Sequence, residues 1–327
     1  MRVAGRGWSG QGVGLIRFLL KNFLLIGIVV GGCTGLLWPG PGSVLKDTGL
    51  VPVLIGVIFV CSGLQMRTGS FLNELRNARA LAFALVSVNV TFPLVALVLA
   101  KLLSIEGDAF IGLLVIATAP PTLASGIIIT TLAGGSTALA IMLTIAGNIS
   151  AVLLMPVGLG LALSLTTSIE LPVLSMLAKL FYLIVLPTFV GQLLRALRAD
   201  LADRYRGVIS FVPSVAIVII VFMLVSSGSA RIREQATDLT VVAVASVALH
   251  VTMLGVNRLG AGVLRLDLAA SKALTIVASQ KTLPVSAFVV AQAFGDRPAA
   301  IVPCIVFHIL QILLDTVVAH RWSQRSE

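Results

Sequence analysis

Residues 276–286 read "IVASQKTLPVS". Gln280 and Lys281 interrupt a run otherwise fit for lipid. A lysine at the centre of a membrane helix costs about 2.5–3.5 kcal/mol on insertion scales, so it is kept where it faces a protein interior or a wetted path. That reading requires the flanking sequence to cross a membrane, and composition says that it does. Of 327 residues, 58% are hydrophobic and 11% charged, against about 25% charged in a soluble domain. Apolar blocks of about 20 residues, long enough to span a bilayer core, recur along the whole chain.

Ten such windows predict an all-α polytopic membrane protein. They lie near 20–38, 49–66, 80–103, 109–132, 137–164, 173–196, 208–228, 239–262, 270–293 and 299–320. Turn and charge signals such as "WPGPGS", "SIEGD", "AGGS" and "GDRP" separate them. Of the 23 Lys and Arg residues, sixteen fall to the loops of one side, six to those of the other, and Lys281 to neither. By the positive-inside rule both termini are then cytoplasmic, as in an inner-membrane protein of bacterial type. The net charge of +10 is therefore read as topology. No basic run with interleaved aromatics points to nucleic acid. Residues 1–19 read as a cytoplasmic segment ahead of a first span, because the apolar run continues to Trp38 without an A-x-A cleavage site.

Cys33, Cys61 and Cys304 all fall inside apolar blocks, with no disulfide framework or metal-ligand spacing. Enzyme signatures such as G-x-S-x-G, H-E-x-x-H and a Walker loop are missing, and acids are too few for a carboxylate-based hydrolase. Neither an enzyme nor a resident cofactor is expected.

An offset of 160 residues lays "PTLASGIIITTLAGGSTALAI" (121–141) on "KTLPVSAFVVAQAFGDRPAAI" (281–301). Thr122 meets Thr282, Gly135 meets Gly295, and Asn148 meets His308. Two five-helix repeats follow, over residues 20–164 and 165–322. An odd number of spans per repeat inverts the second copy, which is the plan of secondary transporters with binding sites on interrupted helices. The fourth window holds Pro120 and Pro121, and the ninth holds Pro284. Proline removes an amide donor and clashes one turn back, and the backbone so freed must be buried in protein or line a wet cavity.

Polar residues gather at these breaks. Thr122, Ser125, Gln280 and Thr282 offer oxygens to a cation and donors to an anion. Thr144, Asn148, His308 and Gln311 complete the wall. Lys281 itself has three roles open to it: attracting an anion, standing in place of a coupling cation, or carrying a proton. Asp315, the one acid inside a window, is expected to reach water near the cytoplasmic end or to pair with Lys281. Asn89, His250 and Gln65 are read as helix-to-helix contacts.

"APPTLASGIIITTLAGGSTALAIMLTIAGNISAVLLMPVGLGL" and "SQKTLPVSAFVVAQAFGDRPAAIVPCIVFHILQILL" resemble the bile acid:sodium symporter family, and more closely its SBF-like branch. The resemblance covers residues 20–322. It implies a panel of spans one, two, six and seven, a core of the rest with broken spans four and nine crossing, and sodium-coupled uptake of organic anions. It makes Thr144, Ser125 and Gln280 candidate sodium ligands, with Thr144 on a sodium-ligating threonine of the family. In span nine, however, Ile276 stands at the family's sodium-ligating glutamate and Lys281 at an asparagine. A sodium ion about 4 Å from a lysine charge would be repelled by ~4 kcal/mol at an effective dielectric near 20.

The expected function is an organic-anion transporter working by alternating access in the lipid bilayer, coupled to sodium at a reduced site or to protons through Lys281. A cation/proton antiporter and a non-transporting membrane scaffold are the other readings.

Overall fold

The computed structural model describes residues 23–66, 77–122, 124–167, 169, 171–234 and 239–324. The N-terminal segment and the basic residues within 67–76 and 325–327 lie outside them. Among the described residues, regular structure is helical throughout. The helices are α1 (Phe23–Leu37), α2 (Pro39–Asp47), α3 (Leu50–Gln65), α4 (Ala78–Leu102), α5 (Gly107–Thr118), α6 (Ser125–Leu132), α7 (Thr137–Thr166), α8 (Val173–Leu197), α9 (Ala199–Arg204), α10 (Arg206–Glu234), α11 (Leu239–Val263), α12 (Leu268–Val277), α13 (Leu283–Ala293) and α14 (Ile301–Ser323).

Among the described residues, six helices are long and apolar enough to cross a membrane: α4, α7, α8, α10, α11 and α14 with its 3-10 lead-in from Pro298. Counting α1 with α2, which meet at a 101° bend, gives up to seven. Four shorter apolar helices, α3, α5, α12 and α13, accompany them. The protein is a multi-pass integral membrane protein.

Two of the ten expected windows are each divided into a helix pair. The fourth becomes α5 and α6, the ninth α12 and α13. Ala119 ends α5 in an extended conformation (φ −62°, ψ 157°), as the steric demand of the following proline requires. In the ninth window the helix has already stopped at Val277, and Pro284 sits in the first turn of α13. There its missing amide costs no ladder bond. The "WPGPGS" stretch, expected as a turn, instead opens α2, with prolines confined to its first turn. Chain reversal falls two residues past α2, at Gly49 in the left-handed region (φ +76°).

Helix α10 packs along α1, α2 and α3, and α3 along α8. The α3–α8 contact is backbone on backbone: a Cβ on Gly63 would stand 3.0 Å from the Gly191 Cα, and one on Gly191 would stand 3.0 Å from the Gly63 Cα. Small residues permit such approach where no hydrophobic force between helices exists in lipid. Gln192 and Arg195 of α8 reinforce the contact, reaching the Gly63 and Leu64 carbonyls. A second group of contacts joins α4 with α5, α6 with α7 and α12, and α11 with α12 and α14. The two groups meet where α10 packs on the Pro298–Ala300 turn and on α13. There the buried Asp108 lies between Arg231 of α10 (3.5 Å) and Arg297 (3.4 Å).

Candidate functional site: two helix breaks around a buried lysine

The breaks are bonded to each other. Thr282 N–H donates to the Pro120 carbonyl at 2.9 Å. Beside this bond the Lys281 side chain is wholly enclosed. Its Nζ donates to the carbonyls of Val88 and Ala119, each at 2.8 Å, and stands 4.3 Å from the centroid of the Phe92 ring. Both carbonyls come from irregular backbone. Ala119 closes α5, where terminal carbonyls lack helical partners. Val88 lies in the widened π turn Ser87–Thr91 of α4, a local feature frequent at functional sites. Two of the three ammonium donors thus meet oxygens, and the ring face takes the charge electrostatically. Among the described residues no carboxylate pairs with Lys281.

Gln311 and His308 hold Lys281 from the other side. Gln311 Oε1 accepts from Lys281 N–H at 2.8 Å, and its Nε2 donates to the Lys281 carbonyl at 2.7 Å. The same Nε2 lies 2.9 Å from His308 Nδ1. Because an amide nitrogen only donates, Nδ1 accepts, and the His308 hydrogen resides on Nε2. That Nε2 is buried without a partner.

Gln280, Thr122 and Ser125 form a second cluster. Thr122 and Ser125 hydroxyls both donate to Gln280 Oε1, and Gly126 N–H donates to Thr122 Oγ1 at 3.1 Å. On α7, Asn148 Nδ2 reaches the Pro121 carbonyl at 3.2 Å, while Asn148 Oδ1 and Thr144 Oγ1 are buried without partners. One turn separates these two oxygens, so they share a helix face. Unsatisfied buried oxygens are rare in native proteins and call for an ion, a water or a ligand.

Asp315 departs from expectation. It neither reaches water nor pairs with Lys281. It is fully buried, and its Oδ1 lies 2.8 Å from His250 Nε2 while Oδ2 accepts from Gln280 Nε2 at 2.6 Å. His250, read as a helix-to-helix contact, is one of unusual kind. It ties α11 to Asp315 and, through Nδ1, to the Ser279 carbonyl at 3.1 Å. Asn257 then donates to Ser279 Oγ, and Ser87 to Asn257. Asn89 and Gln65 are bonded to Ser150 and to the Ile209 carbonyl, and Asn89 Oδ1 is buried without a partner. Lys272, counted with the loop charges, is buried in α12 with Nζ 2.7 Å from the Ala133 carbonyl at the end of α6.

All nine residues singled out in the sequence therefore converge on the two breaks and the helices beside them. What pattern could not supply is the carbonyl pair, since every residue carries a carbonyl, and the Phe92 face. Asp315 did carry a signal, as the one acid inside a window.

Residues 22–324 match the model of the SBF-like CPA transporter family. Over 336 residues, 98% of this chain and 79% of the relative, the chain is 28% identical to the probable sodium/metabolite cotransporter BASS4, chloroplastic, of Oryza sativa subsp. indica. The Arabidopsis thaliana protein of the same name is 26% identical over 96% of this chain and 75% of its own. Sodium/bile acid cotransporter 7 of Danio rerio is 30% identical over 64% of each chain. With nearly its whole length inside the family pattern, this chain belongs to the SBF-like CPA transporter family and is a membrane transporter, not an enzyme.

Proposed function

We propose that the protein is a secondary active transporter that moves a small organic anion by alternating access, driven by sodium. Ten spans in two inverted repeats, 20–164 and 165–322, follow residues 1–19. In this reading α5 with α6, and α12 with α13, are single broken spans. The panel is α1, α3, α8 and α10, the core is the remainder, and both termini are cytoplasmic in an inner membrane of bacterial type. Relatives named as sodium cotransporters support the driving ion. The substrate and coupling residues are Thr122, Ser125, Thr144, Asn148, Gln280, Lys281, Thr282, His308 and Gln311.

One observation carries the reading: Lys281 Nζ lies among two backbone carbonyls and an aromatic face, surroundings suited to a bound cation. A tethered charge there replaces one exchangeable ion, leaving room for sodium at a single reduced site. Thr144 Oγ1 and Asn148 Oδ1 fit that ion by their chemistry, as hard oxygens with no protein partner, and Ser125 and Gln280 are the further candidate ligands. The unpartnered His308 Nε2–H suits an oxygen of the organic anion.

The test is uptake into proteoliposomes with sodium and pH gradients imposed separately. Sodium-driven uptake is expected. Thr144→Val should raise the sodium concentration for half-maximal uptake about tenfold, the equivalent of ~1.4 kcal/mol, with little change in protein stability. Uptake driven by pH alone and indifferent to sodium would move the coupling to a proton on Lys281. Proton-coupled cation flux without an organic solute would favour an antiporter, and no flux of any kind a scaffold.

A further inference from the structure

We propose that Asp315 is the specificity-determining residue for the driving ion: through Gln280 it turns the Thr122 and Ser125 hydroxyls lone-pair-outward, so that the break before α6 takes a cation. The inference rests on the cation-coupled reading above and deepens it.

Hydrogen-bond direction fixes the polarity of the site. His250 sits between two acceptors, the Ser279 carbonyl and Asp315 Oδ1. A single hydrogen must occupy the Nε2···Oδ1 contact, whichever of the two atoms carries it. Asp315 Oδ2 is then an acceptor in either case. An acceptor at 2.6 Å from the Gln280 amide fixes that amide with Nε2 toward Asp315 and Oε1 toward α6. Amide orientation is commonly ambiguous, but this neighbour decides it. Oε1 in turn requires both hydroxyls of Thr122 and Ser125 to spend their hydrogens on it. Thr122 Oγ1 also accepts from Gly126 N–H, which leaves one lone pair on Thr122 and two on Ser125 directed away from Gln280.

The sign of this outcome is unexpected. Ser125 opens α6, and a helix start presents amide donors and a partial positive charge that favour anions. A carboxylate two side chains away reverses that local preference at the hydroxyls. The links from His250 to Gln280 are buried, since Asp315, His250, Ser279 and Gln280 have no exposed surface, so water cannot re-orient them; Ser125 at the end of the relay is part-buried.

Removing the acceptor at 315 should flip this polarity. In Asp315→Leu nothing accepts from the Gln280 amide, which is then free to turn over so that its Nε2 faces the hydroxyls. Their hydrogens then point outward. Sodium binding is read from the thermal midpoint of purified protein titrated with sodium chloride, with choline chloride as control. Asp315→Leu should raise the half-saturating sodium concentration at least tenfold. Asp315→Asn, whose Nδ2 can donate to His250 Nε2 while its Oδ1 still accepts from Gln280, should stay within about threefold of wild type. The swap Gln280→Glu with Asp315→Asn also keeps an acceptor toward α6 and should stay within about threefold of wild type. Gln280→Glu alone faces one carboxylate with another, and its midpoint without sodium should fall below that of the swap.

Unchanged sodium saturation in Asp315→Leu, or equal tolerance of Gln280→Glu beside Asp and beside Asn at 315, overturns the relay. Absence of any sodium response in wild type overturns the cation-coupled reading itself. The sodium-free midpoints still decide the direction of the bonds.

Discussion

Lys281→Met is expected to lower solute uptake in proteoliposomes by about 100-fold or more, at matched protein incorporation. The thioether fills much of the lysine volume but donates nothing. The Val88 and Ala119 carbonyls would be left without the donor that now joins them. Each buried group so abandoned costs about 1–3 kcal/mol, and ~2.8 kcal/mol already corresponds to 100-fold. The loss should appear in uptake more than in the yield of folded protein, because the Thr282–Pro120 backbone bond and the Gln311 contacts to the Lys281 backbone remain. Lys281→Arg keeps the charge but not the shape, since a planar fork cannot replace a compact ammonium between two carbonyls. It should recover only a small part of the activity. Uptake within a few-fold of wild type in Lys281→Met would show that the lysine is a packing element.

The second large effect concerns stability. Gly63→Leu should lower the thermal midpoint in detergent by many degrees and reduce recoverable protein. Its Cβ would press on the Gly191 Cα and on the Thr188 carbonyl, both of them backbone. Overpacking in cores costs about 1–3 kcal/mol and more where backbone must move. Gly56→Leu in the same helix is the control, since a Cβ there meets nothing within 4 Å. Equal midpoints for the two variants would contradict the close crossing of α3 and α8.

Much of this was legible from residue order, for physical reasons that differ by element. The cost of polar atoms in lipid forces apolar blocks of fixed length, so the membrane class reads directly. Proline's missing amide marks the break at Pro120–Pro121, where α5 does end. The break near Pro284 was legible for a less direct reason. The helix stops before Gln280, and the proline begins the next helix rather than distorting one. Pro39 and Pro41 misled in the opposite sense, because a first helical turn accepts proline and α2 begins on them.

At the site, Lys281 was conspicuous because a lysine in an apolar run is costly, and Gln280, Thr122 and Ser125 were conspicuous beside it. Asp315 was equally conspicuous, yet its partner was misjudged. A lysine and an acid in neighbouring spans invite pairing on charge alone. The fold instead gives the acid to His250 and Gln280 and the lysine to carbonyls. Periodicity places a residue on a helix face but says nothing of which irregular backbone lies opposite. The π turn at Ser87–Thr91 does precede a proline, Pro93, whose ring crowds the Asn89 carbonyl four residues back, but a proline there announces a distortion and not which carbonyl it frees.

The most direct measurement asks whether a positive charge at position 281, rather than any feature of that residue's packing, sustains transport. Lys281→Cys is made in a background free of Cys33, Cys61 and Cys304, and uptake is compared before and after alkylation with 2-bromoethylamine, which rebuilds an ammonium of nearly lysine length. The account predicts negligible uptake before the reaction, substantial recovery after it, and none after a neutral alkylation of similar size. Uptake by the unmodified variant at the level of its cysteine-free parent would contradict it.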